Sequence, residues 1–306
     1  MLTKNGVCPI MIKPQLLSDS EDANKFIKIF AVSDAKIGKT TYLACSALGA
    51  LPEQEFGLVS DPSCLHIIGF DEGAVDGLKR FLVDACKRPD ATKFPVWPMW
   101  DICRTAILGE GYDSTILNTV VAVLQEINKT VGASPTKTHA VLFSSFTGMG
   151  MALKHGISGK PKPDSSGQIK SSGMNQAKWD ILNAGLMTIR AEAHRNNKHV
   201  MWEGHVQKKF IMLEDGSQKS GGTEETVGVP GGEGRNWAAN VGEVVRLRRE
   251  AVKYPNTLID KVYLDTRPSL DFVSGGRGFN TLAAKEYDLA KMVQKLGKQV
   301  GGYKKP

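Results

Sequence analysis

Residues 28–44 constrain the fold more tightly than any other stretch. Lys28-Ile29-Phe30-Ala31-Val32-Ser33 is an apolar run of strand length, and an apolar, helix-period segment follows over residues 42–51. Between them lies Asp34-Ala35-Lys36-Ile37-Gly38-Lys39-Thr40-Thr41. A buried strand that turns sharply into a helix leaves consecutive backbone N–H groups aimed at one place, with the positive end of the helix dipole behind them. Gly38 lets the backbone approach a ligand with no Cβ in the way. Lys39 supplies a point charge for β- and γ-phosphates, and the Thr40 hydroxyl suits Mg²⁺. The segment predicts a cradle for a nucleoside triphosphate made of Ser33, Asp34, Ala35, Lys36, Ile37, Gly38, Lys39, Thr40 and Thr41. The usual pattern is Gly-x4-Gly-Lys-Ser/Thr. Ser33 stands where its first glycine falls. The plain alternative is a strand–turn–helix in which Gly-Lys-Thr is incidental.

The rest of the chain has the pattern such a cradle requires. Buried strands are expected at residues 26–32, 64–70, 139–143 and 198–203, and an edge strand at 96–102 because Pro98 cannot donate to a ladder. Helices are expected at 38–51, 74–87, 114–129 and 175–196. This alternation predicts an α/β fold with a mostly parallel central sheet flanked by helices. Strands at 206–213, 243–249 and 261–266 follow without intervening helices and predict an antiparallel extension toward the C-terminus. An amphipathic helix at 281–296 and a basic tail (Lys298, Lys304, Lys305) end the chain. Two Gly-rich segments, 154–173 and 215–234, are expected to be loops.

Composition sets the outer bounds. At 306 residues and 41% hydrophobic content the chain has ample core for one large domain, or one with an appendage. It has no apolar run of membrane-spanning length. Residues 1–14 carry Lys4 and Lys13 around a short apolar patch without a cleavage signature, so a cytoplasmic setting is expected. Five cysteines in no C-x-x-C or zinc spacing predict buried, reduced thiols. A net charge of +7 is compatible with a nucleic-acid partner.

The cradle, the strand ending Asp71-Glu72-Gly73 and the strand ending Glu203-Gly204-His205 occur in the order found in RecA-fold ATPases, which the chain resembles over roughly residues 26–282. It is most similar to the compact phage recombination ATPases related to the RecA and Rad recombinases. The resemblance implies a RecA-like P-loop core at 26–282, between an N-terminal extension (1–25) and a C-terminal helix and tail (283–306). It implies ATP and Mg²⁺ as ligands and hydrolysis to ADP and phosphate. By position, Glu72 polarises the attacking water. The family's metal-holding aspartate falls on Ser144, a hydroxyl without charge; Asp71 with Glu72 is the alternative metal-and-base pair. His205 and Glu203 match the γ-phosphate-sensing strand end, and Arg277 a late element offering a finger across a subunit interface. Single-stranded DNA would meet the loops carrying Lys160, Lys162 and Lys170 and the segment opened by Lys208 and Lys209, in a homo-oligomeric ring or filament.

Two other readings remain open on the sequence. Ser33 and Ser144 both fit a protein that holds nucleotide as a structural or regulatory ligand with little hydrolysis. A small-molecule kinase would carry an arginine-rich lid near the phosphates, and residues 154–173 hold no arginine.

Overall fold

Among the described residues, apolar runs bounded by turns assemble into one nine-stranded sheet. The computed structural model describes residues 25–33, 37–52, 54–103, 114–158, 162–163, 169–170, 174–212, 218–227, 243–254, 257–265 and 285–304. The strands are β1 (Lys28–Ser33), β2 (Leu65–Gly69), β3 (Val96–Pro98), β4 (His139–Ser144), β5 (Lys162–Pro163), β6 (Ile169–Lys170), β7 (Lys198–Met212), β8 (Gln218–Val227), β9 (Glu243–Tyr254), β10 (Thr257–Asp265) and β11 (Lys285–Glu286). The sheet order is β3-β2-β4-β7-β1-β9-β10-β11, with β8 along β7, while β5 and β6 form a separate pair. From β3 across to β9 every pairing is parallel. At the far side β10 runs antiparallel to β9, and β11 antiparallel to β10.

The helices are α1 (Lys39–Ala47), α2 (Glu72–Arg80), α3 (Thr115–Ala133), α4 (Phe146–Ser158), α5 (Gln176–His194) and α6 (Leu289–Lys295). A parallel strand covered on both faces buries every residue, and β4, apolar from Ala140 to Phe143, is buried from end to end. Side-chain alternation then splits the core in two. Ile29 and Ala31 of β1, Ala140 and Leu142 of β4 and Met201 of β7 face α1, α2 and α6. Phe30, Val32, Val141, Phe143, Val200 and Trp202 face α3, α4 and α5. On that second face Trp202 stacks on Phe143 with ring centroids 3.7 Å apart, and Phe146 meets Phe30 edge-on at 5.3 Å. Helix α1 is buried on almost every side, as a helix wedged between a sheet and other helices must be.

The C-terminal segment returns to this body. The Gly301 and Gly302 N–H groups donate to the carbonyls of Leu58 and Gly57, and the Tyr303 N–H to Val59. The Gly57 N–H donates to the Tyr303 carbonyl at 2.7 Å, and the Tyr303 hydroxyl to Asp90 at 2.6 Å.

Several sequence expectations are corrected. The segment from residue 154 begins as the last turn of α4, and short strands pair at 162–163 and 169–170. The glycine-rich stretch after residue 215 contains β8, because pairing with β7 supplies ladder hydrogen bonds that outweigh weak strand propensity. The strand expected at 206–213 is the continuation of β7 rather than a new strand. The last helix is α6 alone, starting where Asp288 caps the Lys291 N–H at 3.1 Å; residues 285–286 are strand. Helix α2 ends at Arg80 and the chain continues as a wider turn over Phe81–Ala85. The described cysteines, Cys45, Cys64, Cys86 and Cys103, are free thiols. Among the described residues no helix is long and apolar enough to cross a membrane.

Candidate functional site

The carboxyl ends of parallel strands are where an open α/β sheet presents its loops, and β7 stands between β1 and β4. Three side chains meet at this edge. Gly38 caps α1 in the left-handed region at φ 87°, ψ 34°, which only glycine adopts without cost. That bend starts the helix at Lys39 and sets Lys39 and Thr40 into the protein, each 6% exposed. Met201 and Glu203 share the α1 face of β7 by alternation, and Ser144 follows Leu142 on the same face of β4.

The result is a buried carboxylate beside the first turn of α1. The Thr40 hydroxyl donates to Glu203, whose Oε1 and Oε2 lie 2.9 and 2.8 Å away. Ser144 Oγ donates to Oε1 at 3.2 Å, and the Ser145 N–H donates to Oε1 at 2.7 Å. Ser144 Oγ is also 3.3 Å from Thr40 Oγ1. Burial pushes the Glu203 carboxyl up from its ordinary range, against the pull of the Thr40 hydrogen bond, the Lys39 ammonium and the bonds from Ser145 and Ser144.

Backbone strain holds one of these donors in place. Ser145 has φ 73°, an uncommon conformation for a residue with a side chain. In it the Ser145 N–H faces Glu203 while its hydroxyl accepts the Gly148 N–H at 3.0 Å, opening α4. Thr147 Oγ1 accepts the His205 N–H at 3.1 Å, which ties the end of β7 to the same helix. Burial lowers the His205 pKa, the Lys39 charge lowers it further, and Asp71 opposes both. His205 thus lies within electrostatic reach of Lys39 and Asp71.

The remaining expected residues divide. Ser33 is buried at the end of β1, opposite His205 in register; Ile37 and Thr41 are half-buried. Asp71 is exposed, and its carboxylate caps α2 by accepting the Ala74 N–H at 3.3 Å. Glu72 is exposed in the first turn of α2, at the end of β2, which lies beyond β4 from β7. Lys162 and Lys170 fall on β5 and β6, and Lys208 and Lys209 on β7, with their side chains outside the described residues. Asp34, Ala35, Lys36, Lys160 and Arg277 lie outside the described residues altogether.

Two interactions were not foreseen. One is the Thr40–Glu203 bond, since the resemblance assigned Glu203 only to phosphate sensing. A signal existed: Ser144 lacks the charge expected beside Thr40, and Glu203 is the acid that ends the neighbouring apolar run. The other is Arg249 of β9, whose guanidinium donates to the Ile37 carbonyl at 3.1 Å and so reaches the cradle segment.

The donors at this edge are hydroxyl and carboxylate oxygens, the kind a hard divalent cation takes. Among the described residues no cluster of three or more His, Cys, Asp or Glu gathers. A cation here would draw most of its ligands from water and a bound polyphosphate. Comparison with protein-family models finds no match, and comparison with curated proteins finds none.

Proposed function

We propose that the chain is a RecA-like P-loop protein that binds ATP with Mg²⁺, hydrolyses it, and acts on single-stranded DNA as a homo-oligomer. The observation that carries this reading is the turn from Gly38 into the buried pair Lys39 and Thr40, at the carboxyl edge of a parallel sheet. In it the α1 N-terminus and the Lys39 ammonium hold the β- and γ-phosphates. Thr40, with Ser144 beside it, would help hold Mg²⁺, which would neutralise phosphate charge. Glu72 is the candidate for orienting the attacking water, with His205 at the rim as the group that feels the γ-phosphate. Arg277 remains the candidate for a finger from a neighbouring subunit.

The DNA part rests on the resemblance and on the place of two antiparallel strand pairs. The β5–β6 pair follows α4, and β8 returns along β7. These are the positions where the family's DNA-facing loops fall, and they carry Lys162, Lys170, Lys208 and Lys209. A second reading, nucleotide as a structural or regulatory ligand with little turnover, is favoured by the absence of a charge at Ser144.

The experiment is calorimetric titration with Mg·ATP, paired with a hydrolysis assay with and without single-stranded DNA. Lys39→Ala should weaken ATP binding by roughly 10–100-fold, the scale of one charged hydrogen bond. Hydrolysis stimulated by DNA supports the motor; tight binding without turnover supports the second reading; no binding by the wild type removes both. Replacing Lys160, Lys162 and Lys170 together by alanine should flatten the salt dependence of DNA binding by about 0.7 in slope for each phosphate no longer neutralised. An unchanged slope clears that segment.

A further inference from the structure

We infer that Glu203, on β7, is the acid that organises the divalent cation of the nucleotide site, in place of a carboxylate on β4. This rests on the nucleotide reading above and deepens it. A magnesium ion beside a P-loop threonine needs negative charge close to its water shell, and β4 ends there in an uncharged serine. The neighbouring strand supplies the missing charge. In register, Phe143 pairs with Trp202, so the next residues along, Ser144 and Glu203, lie side by side on the α1 face. Glu203 is 3% exposed and reaches Thr40 and Ser144 at once.

The direction of the Thr40 bond matters. Its one proton is committed to the carboxylate, which leaves the oxygen lone pairs free for a cation on the cradle side. Glu203 is therefore a positioning residue for Thr40 and a charge for the cation's bound water, two roles that one carboxylate fills from a single place. A purely structural buried glutamate would be expected to pair with a lysine or arginine at hydrogen-bond distance. Every hydrogen-bond donor found on Glu203 is instead a hydroxyl or a backbone amide of the site. Its electrostatic link to a cation is to Lys39, the residue that faces the phosphates. Ser145, strained at φ 73°, adds its N–H to hold the carboxylate in one orientation.

The test reads the metal, not turnover. ATP affinity is measured by calorimetry across a Mg²⁺ titration for the wild type, Glu203→Gln, and the double variant Ser144→Asp/Glu203→Gln, which returns the acid to β4. The inference expects Glu203→Gln to bind metal-free ATP at least as well as the wild type, because a negative charge has left the pocket. It expects the Mg²⁺ concentration needed for half the affinity gain to rise roughly tenfold or more, the scale of a lost charge-assisted interaction. It expects Ser144→Asp to recover most of that loss. Where the glutamine variant does not fold, Glu203→Asp takes its place: charge kept at shorter reach should move the Mg²⁺ midpoint by a smaller step. An unshifted Mg²⁺ midpoint in a folded variant overturns the role of Glu203 and leaves ATP binding standing. So does a shifted midpoint that the β4 acid fails to recover. A wild type that binds no ATP at any Mg²⁺ level overturns both.

Discussion

Gly204 shows how closely the site is fitted to its floor. A Cβ there would sit 2.7 Å from the Phe30 ring, which is itself fully buried and set edge-on to Phe146. The ring has no room to yield, so Gly204→Ala is expected to cost about 1–3 kcal/mol by denaturant unfolding. Gly204 lies between Glu203 and His205, so on the proposed function the same variant should also weaken ATP binding. Full stability in the alanine variant would show that the aromatic floor gives way. The turn into α1 was readable from the sequence because it is local: Gly38, Lys39 and Thr40 act as neighbours. The Thr40–Glu203 bond was not, because it joins positions 163 residues apart and depends on which strand lies next to β1. No local pattern carries that order.

The same division separates elements that were foreseen from those that were not. Strands β1, β2 and β4 and helices α1, α3 and α5 announce themselves through unbroken apolar runs or helical spacing. Helix α4 does not, for Gly148, Gly150 and Gly156 all disfavour a helix. Its start is set instead by Ser145, whose left-handed backbone and hydroxyl cap turn the chain out of β4. Ser145→Gly gains about 1 kcal/mol by relieving φ 73° and loses about as much with the cap, so little change in melting temperature is expected. Ser145→Val keeps the strain, loses the cap and adds a β-branched side chain; it should cost about 2 kcal/mol or more. Equal melting temperatures for the two variants would mean that the turn is not what starts α4. The boundary of α6 escaped for a related reason: the spacing of apolar residues runs back past Asp288, but the cap at Asp288 stops the helix there.

The molecule as a whole carries an acid sensitivity. Burial holds His199 neutral down to about 3, and burial with the nearby His139 and Lys198 charges holds His66 down to about 4. His199 Nδ1 must stay unprotonated to accept the Ile27 N–H at 3.0 Å. Below the unfolded value near 6.5, the unfolded chain takes up protons that these folded imidazoles refuse. Stability should therefore fall as pH drops from 6.5, by about 1.4 kcal/mol per pH unit for each of the two. Thermal melts between pH 7.5 and 5 check this, and His199→Asn should flatten the slope; parallel slopes would reject the assignment. A last consequence follows from the place of β1 between β7 and β9. Among the described strands β1 comes first along the chain, and both of its partners, β7 and β9, come far later in the sequence. At about 5–20 residues per second, roughly 10–40 s separate the synthesis of Val32 from that of Arg246, its β9 partner. On the proposed function, nucleotide could be held only after that wait, however early Gly38, Lys39 and Thr40 have been translated.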